Sequence, residues 1–342
     1  MATPDLKKMQ LVSQNAPSIQ RSVTLHFQGD WGMANFHRIC SWLTQQLCDR
    51  AGPESQVAIW NVRHGGIEAV TNVFHGRMHM AIATPAQLMS TALEGTGIFR
   101  QFGPMPTLRA LGVLPQNDRL ILAIHPKYGV RSFEELRAKK PAIRIATSCD
   151  DGTNFIGYLA HAFLACHGIT KETVESWGGS IVTSHRPEQS IAEVLSGNAD
   201  VLLQEAIMTP WWEQVIEELH YVPLQAESSA LAKFARDYPG AADQTSGDLP
   251  AGFWNSLSEP LFCLDFSDFV ILVRDDMPDD VAHLLTWCLV ETRDSIEGQY
   301  RHLRPERSPL TYPLDPKKMA QTPVPLHPAA RQYYRDAGYL QE

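Results

Sequence analysis

The feature that most constrains the fold of this chain is a polar turn between an apolar segment and a helical pattern. Residues 143–148 form a short apolar run that predicts a buried strand, and residues 155–168 carry the spacing of an amphipathic helix. Four side chains between them suit the N-cap of that helix: Ser148, Asp151, Thr153 and Asn154. Because a helix start exposes N–H groups and the positive end of its dipole, this turn favours a carboxylate or phosphate. Taken alone, the segment is equally typical of an ordinary strand-to-helix connection.

A second copy of the same unit lies earlier in the chain. Residues 23–27 alternate as a strand does, residues 28–33 form a glycine-bearing turn, and residues 34–50 predict a helix. The apolar stripe of that helix has spacings of three and four: Phe36, Ile39, Leu43 and Leu47. Ligands of open α/β sheets bind at the carboxyl ends of the strands, so two such turns facing each other would form a two-sided cleft.

The rest of the chain continues the alternation of strands and helices. Further strands are predicted at residues 56–60, 78–83, 108–114, 120–124, 180–183, 199–203 and, as one long strand, 262–273. Thr84, followed by Pro85, predicts the N-cap of another helix. The alternation predicts an α/β fold with parallel strands. Neither a P-loop nor a dinucleotide-binding glycine motif follows any of these strands, so the sequence predicts no cofactor.

Length and charge restrict the class of protein further. The 342 residues are long enough for two domains, and a net charge of -9 argues against nucleic acid as a partner. The first 21 residues are polar, which does not fit a secretory signal, and no apolar stretch is long enough to span a bilayer. The chain as written is therefore predicted to be cytoplasmic, and a mature form that has lost its signal would be periplasmic.

Cysteine and histidine positions predict little metal chemistry. None of the six cysteines forms a C-x-x-C pair, and no histidine motif has metal-ligand spacing, so the sequence predicts no metal site. Cys149 differs from the others because it lies in the polar turn, where a helix start favours the thiolate. His64, beside Gly65 and Gly66, is the best candidate for a mobile proton donor.

Several segments together resemble a known family. Residues 29–32 form a glycine-bearing turn before a helix, and residues 74–83 combine a helix end, a glycine and a strand of small apolar residues. Residues 130–136 precede the second strand–turn–helix unit. Residues 196–202 contain a G-x-x-D motif directly before a strand, and residues 323–338 resemble a C-terminal signature. In this order the chain resembles the solute-binding proteins of TRAP transporters in the TAXI class, which have the type II periplasmic-binding-protein fold.

The resemblance implies two lobes joined by a hinge. Residues 22–124 and 265–342 would form lobe I, residues 125–264 would form lobe II, and the lobes would close over a small organic acid. The turns at four strand ends would contact it, and the ends of the predicted strands select the same four turns. The predicted ligand-binding residues are Gly29, Asp30, Trp31, Gly32, Met33, Thr84, Gln87, Ser148, Cys149, Asp151, Gly152, Thr153, Asn154, Gln204, Glu205 and Trp211.

Two functions remain open from the sequence. In the first, a solute-binding protein holds the acid with turn N–H groups while Trp31 and Trp211 cover its apolar part, and membrane transporter subunits are partners if the chain is exported. In the second, the chain is an enzyme with the same fold. It would be a cytosolic, cofactor-independent decarboxylase or lyase that acts on a small carboxylic acid, aromatic acids included. His64, Asp151 and Glu205 would then move a proton. A cytosolic sensor is a third reading, and the protein is expected to be a monomer or a homodimer.

Overall fold

A computed structural model describes residues 16–29, 35–62, 64, 66–238 and 247–341. Over these residues the chain forms two mixed β-sheets covered by helices. The first sheet has the order β2-β1-β3-β12-β4. Its strands are β1 (Thr24–Gln28), β2 (Gln56–Trp60), β3 (Met80–Ala83), β4 (Leu108–Leu114) and β12 (Phe269–Arg274). We call this sheet and its helices the first lobe.

Helices cover both faces of the first sheet. One face carries α1 (Asn35–Cys48), α10 (Asp279–Glu291) and α13 (Pro328–Asp336), which share a buried cluster with β3 and β12. The predicted stripe of α1 is buried in this cluster, as expected for an amphipathic helix. The other helices of this lobe are α2 (Ile67–Phe74), α3 (Ser90–Glu94), α11 (Arg293–Glu297) and α12 (Pro316–Met319), with 3₁₀ turns at Ala86–Met89, Gly97–Phe99 and Pro305–Arg307.

The second sheet has the order β10-β11-β5-β8-β6-β7, with β9 also paired to β5. Its strands are β5 (Arg119–Ile124), β6 (Arg144–Ser148), β7 (Ser180–Ser184), β8 (Val201–Gln204), β9 (Val222–Pro223), β10 (Gly247–Leu249) and β11 (Leu261–Asp265). Its helices are α4 (Phe133–Lys139), α5 (Phe155–Cys166), α6 (Lys171–Ser176), α7 (Pro187–Leu195), α8 (Pro210–Glu213), which continues as a π-helix over Gln214–Glu218, and α9 (Ser228–Asp237), with a 3₁₀ turn at Pro126–Tyr128. We call this sheet and its helices the second lobe.

The prediction of parallel strands is wrong for part of each sheet. β1 pairs in parallel with β2 and β3, and β6 pairs in parallel with β7 and β8. However, β12 is antiparallel to both of its neighbours, and β5 is antiparallel to β8, β9 and β11. The antiparallel strands adjoin the two places where the chain passes from one sheet to the other. β5 and β12 each enter a sheet directly from the other lobe. Each is therefore antiparallel to neighbouring strands that are joined to their own sheet through helices.

The long strand predicted at residues 262–273 is in fact two strands in different sheets. Asp268, with a φ of 62°, separates β11 from β12. The other passage lies between β4 and β5, at residues 115–118. Since β5 belongs to the second sheet, we propose that the first lobe boundary lies at this passage rather than after residue 124.

Two local predictions have different outcomes. The spacing of Ser132 and Glu135 predicts a capping box, and Ser132 does cap α4, because its Oγ accepts a hydrogen bond from the Glu135 N–H at 3.1 Å. Thr84 is not a cap, since its hydroxyl donates to the carbonyl of Asp268 at 2.9 Å and the 3₁₀ turn begins after Pro85. Thr84 therefore ties the end of β3 to the passage between the lobes. Within the described residues, no helix is long and apolar enough to cross a membrane.

Candidate functional site

A cavity of about 320 Å³ lies between the two lobes. The first lobe contributes Asn35, Phe36, Arg38, Thr84, Tyr300 and Pro309 to its wall, and the passage between the sheets contributes Gln116 and Asp118. The second lobe contributes Pro187, Glu188, Ile191, Glu205, Ala206, Met208, Thr209, Pro210 and Trp211. A largely apolar cavity with a few convergent polar groups is the usual form of a small-molecule site.

The wall from the first lobe carries a guanidinium. Among the described lining residues Arg38 is the one basic side chain, and it lies on the first turns of α1. Its guanidinium carbon is 5.2 Å from the centre of the Tyr300 ring. The hydroxyl of Tyr300 hydrogen-bonds to the side-chain oxygen of Asn35, and burial raises the pKa of Tyr300 to about 12. Tyr300 therefore stays neutral and supports the guanidinium through a cation–π contact.

The opposite wall carries a pair of carboxyl groups. Asp118 is 1% exposed and accepts hydrogen bonds from the N–H groups of Arg119, Ala206 and Ile207 at 2.8–3.2 Å. Burial raises the pKa of Asp118, and the nearby side chain of Glu205 also influences that pKa. Because burial disfavours the ionised form, Asp118 holds its proton more readily than an exposed aspartate does.

Trp211 and Trp212 have different environments, although they are adjacent in sequence. Trp212 is fully buried, stacks on Trp254 and donates from its indole N–H to the carbonyl of Glu205 at 2.7 Å. Trp211 is 39% exposed and lines the cavity. A helix turn can bury only one of two consecutive side chains on the same core, so Trp212 anchors α8 while Trp211 is left at the cavity wall.

The polar turn at residues 148–154 is used mainly by the fold itself. Asn154 caps α5 by accepting from the N–H groups of Ile156 and Gly157 at 2.9 and 3.1 Å. Asp151 accepts from both the N–H and the hydroxyl of Thr153, at 3.0 and 2.6 Å. Two further pairs complete the turn: Ser148 accepts from Gln204 at 2.8 Å, and Gln101 donates to the carbonyl of Gly152 at 3.3 Å. None of these turn residues is among those that line the cavity.

A second cluster of reactive side chains forms beside this turn. The Cys149 sulfur lies 3.2 Å from Nδ1 of His185 and 3.6 Å from Oδ2 of Asp151. Nδ1 of His64, from the other lobe, is 3.3 Å from the same His185 nitrogen. Burial, followed by the charge of Asp151, raises the pKa of the Cys149 thiol, so the predicted preference for the thiolate is wrong. Burial outweighs the start of the helix because Asn154 already takes up the first free N–H groups.

The other predicted site residues lie in several places. Thr84, Glu205 and Trp211 line the cavity. Gly29 and Gln87 are outside its lining, at the end of β1 and in a 3₁₀ turn, and Gln204 is buried against Ser148 and Ser190. Asp30, Trp31, Gly32 and Met33 lie outside the described residues. A role for any of these residues in ligand binding stays a prediction.

Sequence reasoning missed several cavity residues and one cluster residue. Arg38 lies on the polar side of α1, and Asp118 ends a Pro-Gln-Asn-Asp segment that is typical of a turn. Tyr300 comes from a helical region with no local sign of a site. His185 could have been selected from the sequence, because it directly follows β7. The parallel neighbour of β7 is β6, which ends at the polar turn, and the carboxyl ends of parallel strands lie at the same edge of a sheet.

Comparison with known families decides the assignment. Residues 39–338 match the model of the NMT1-like family. The chain belongs to the NMT1-like family. No curated protein matches the chain. The cytoplasmic location expected from the sequence receives no support from this family match.

Solved structures with a similar fold extend over nearly the whole chain. MatC from Rhodopseudomonas palustris, solved with bound malate, has a TM-score of 0.51 at 10% identity and covers 94% of this chain and 99% of its own. A structure described as a periplasmic transporter has a TM-score of 0.48 at 13% identity, over 92% of this chain and 94% of its own. An R. palustris protein solved with adipate also has a TM-score of 0.48, at 11% identity over 93% of each chain. This NMT1-like protein has the predicted two-lobe α/β fold of periplasmic-binding proteins, with its cleft between the lobes.

Proposed function

We propose that this NMT1-like protein is a solute-binding protein that holds a small organic acid in the cavity between its lobes. The observation that carries the proposal is the composition of the cavity wall, in which a single guanidinium among the described lining residues faces a largely apolar space of about 320 Å³. The bound malate of MatC and the bound adipate of the second R. palustris protein support an acid of this size.

Arg38 is the group that would hold the carboxylate. Its side chain is exposed, and the described contacts leave its guanidinium without a carboxylate partner within salt-bridge distance. Arginine binds a carboxylate through two parallel N–H···O bonds, which fixes orientation as well as charge. The contact with Tyr300 would keep the guanidinium plane in position before the ligand arrives.

The second lobe would close over the rest of the molecule. Trp211, Met208 and Ile191 give this wall its apolar surface. The burial that raises the pKa of Asp118 would reduce the repulsion that an ionised carboxylate at this position exerts on an acid. Closure would therefore bury the apolar part of the ligand while its carboxylate stays on Arg38.

Titration calorimetry of the full chain against malate, adipate and a matched series of mono- and dicarboxylates tests the proposal. We expect saturable 1:1 binding of at least one acid, with Arg38→Ala weakening it by about 2 kcal/mol or more, or at least roughly 30-fold. Arg331→Ala is the matched control, because Arg331 is exposed on α13 away from the cavity lining. Equal affinities of the Arg38 and Arg331 variants, or no acid bound by the native chain, would contradict the proposal.

The enzyme alternative finds less support from the geometry. Glu205 lines the cavity, whereas His64 and Asp151 are outside its lining, in the cluster around His185. The three residues proposed to move a proton are thus not brought to one site. Incubation of the bound acid with the protein, followed by NMR, separates the functions: an unchanged acid supports binding, and loss of CO₂ or water would require an enzyme.

We also infer the finer assignment, a periplasmic protein of the TAXI class that delivers its ligand to TRAP membrane subunits. The segments that resemble that class support this inference, and family membership gives only the coarser statement. Fractionation of the native cells, followed by ligand-dependent co-purification with membrane subunits, tests it. A chain confined to the cytoplasm would exclude delivery to a transporter and favour a cytosolic sensor.

A further inference from the structure

Four side chains with metal-binding atoms meet beside the cavity, outside its lining. Cys149, Asp151 and His185 each offer one ligand atom, and the three atoms lie within 4.8 Å of one another. His64 adds a second imidazole at 3.3 Å from Nδ1 of His185. These residues come from three separate stretches of the chain and from both lobes.

The spacing of the Cys149, Asp151 and His185 atoms fits one tetrahedral cation. Ligand atoms held at about 2.0–2.3 Å from a tetrahedral Zn²⁺ lie about 3.3–3.6 Å from one another. The sulfur–nitrogen and sulfur–oxygen distances are 3.2 and 3.6 Å, and the nitrogen–nitrogen distance is 3.3 Å. Cys149, Asp151 and His185 are therefore near the separations that a bound cation would impose, and the His64 ring would approach the Cys149 and Asp151 atoms when it joins them.

The surrounding contacts position the donors. Oδ1 of Asp151 accepts two hydrogen bonds from Thr153, which leaves Oδ2 directed at the sulfur. The backbone N–H of His185 donates to the side-chain oxygen of Gln189, and the carbonyl of His185 accepts from the side-chain amide of Asn154. Such outer contacts orient metal ligands in known sites.

We propose that Cys149, Asp151 and His185 bind a thiophilic divalent cation, with His64 completing the site from the opposite lobe. A thiolate, imidazole groups and a carboxylate in a tetrahedral arrangement select Zn²⁺ over the oxygen-preferring Mg²⁺ and Ca²⁺. On binding, the thiol proton of Cys149 passes to solvent and the sulfur becomes a ligand.

The consequence of this arrangement is a link between the lobes. Gly66, two residues after His64, forms an isolated β-bridge with Asn154, so the two loops contact each other across the lobes. His185 lies two residues before Pro187, which lines the cavity. A cation shared by His64 and His185 would therefore hold the lobes together at the edge of the cavity, whether or not an acid is bound.

Titration of untagged, chelator-treated full-length protein with Zn²⁺, and with Co²⁺ as a spectroscopic probe, tests the site. We expect one equivalent of Zn²⁺ and a thiolate-to-cobalt charge-transfer band. Cys149→Ser should remove that band, and His185→Gln should weaken zinc binding by more than the roughly 10–100-fold that changes to outer contacts cause. The matched controls are Cys48→Ser and His75→Gln, which change a thiol and an imidazole outside the cluster.

Hydrogen exchange tests the link between the lobes separately. Zinc should slow exchange in the peptides around Gly66 and Asn154 in the native chain, and His64→Gln should remove most of that protection while folding remains intact by circular dichroism. Zinc binding of the Cys149 and His185 variants that equals that of the controls would overturn the proposed site. Protection that persists in the His64 variant would overturn the role of His64 and the link.

Discussion

Asp268 gives the sharpest test of the structure, because it lies at one of the two passages between the lobes. Its Oδ1 accepts from the N–H of Gln116 at 3.0 Å, and its own N–H donates to the Gln116 carbonyl at 3.0 Å. Burial raises the pKa of Asp268 from its ordinary 3.8 to about 6. The folded protein therefore binds a proton that the unfolded chain releases at a lower pH.

The sign and size of the effect follow from that shift. A raised carboxyl pKa stabilises the folded state most below pH 3.8, and the contribution is lost as the pH rises through about 6. A shift of roughly two units corresponds to about 3 kcal/mol. Asp268→Asn keeps the acceptor oxygen and removes the charge, and asparagine tolerates the positive φ of this position. We expect the free energy of unfolding of the variant, minus that of the native chain, to rise by about 2 kcal/mol from pH 4 to pH 7.5.

Urea unfolding of both proteins at half-unit pH steps measures this difference. Asp336→Asn, which removes an exposed carboxyl from α13, serves as the matched control. A difference between the Asp268 variant and the native chain that stays constant over the pH range, within the error of extrapolation, would refute the argument from burial. A difference that changes as much in the Asp336 variant would refute its assignment to Asp268.

Three further substitutions test local features by urea unfolding. Asn154→Ala removes the cap of α5 and should lower the free energy of unfolding by about 1–2 kcal/mol, and an unchanged value would contradict the capping role. Gly157→Ala should cost about 1–3 kcal/mol, because the new Cβ would lie 1.9 Å from the Cys149 carbonyl oxygen unless the backbone moves. Gly29→Ala is the control, because a Cβ there would meet its nearest neighbours at 3.7–3.8 Å. Asp200→Asn should cost about 1.5–3 kcal/mol at pH 7, because Asp200 accepts three charged hydrogen bonds from Arg144 and Lys127. The pKa of Asp200 lies below the ordinary range, so the loss of unfolding free energy in the variant should shrink as the pH falls below about 4. A loss at pH 3 equal to that at pH 7 would argue against the ion pairs.

Local patterns were enough to predict most helices and strands. The strand at residues 56–60 and the helix that starts after Asn154 depend on periodicity and capping, which involve neighbours in sequence. The two-lobe fold was also predicted, through the order of several motifs. Pairing partners were not predictable in this way, because the antiparallel entry of β12 between β3 and β4 depends on strands more than 150 residues away.

In the candidate site, the division between what local sequence patterns predict and what distant packing decides is even clearer. From the sequence, Thr84 and Glu205 were selected because they follow predicted strands, and Trp211 as an aromatic cover for the ligand. All three line the cavity. Arg38 and Tyr300 carry no local sign of a site, since their proximity depends on how α1 packs against the C-terminal part of the first lobe.

The sequence by itself determined the elements of this protein and the class of its fold, because capping, turn chemistry and apolar periodicity act between residues near one another. Only the tertiary structure decided where the chain changes sheets, which polar groups face the cavity and which meet at His185. Those outcomes depend on the burial of distant segments against each other. A strand of residues 262–273 that looked continuous is divided at Asp268 because its two halves are buried in different lobes.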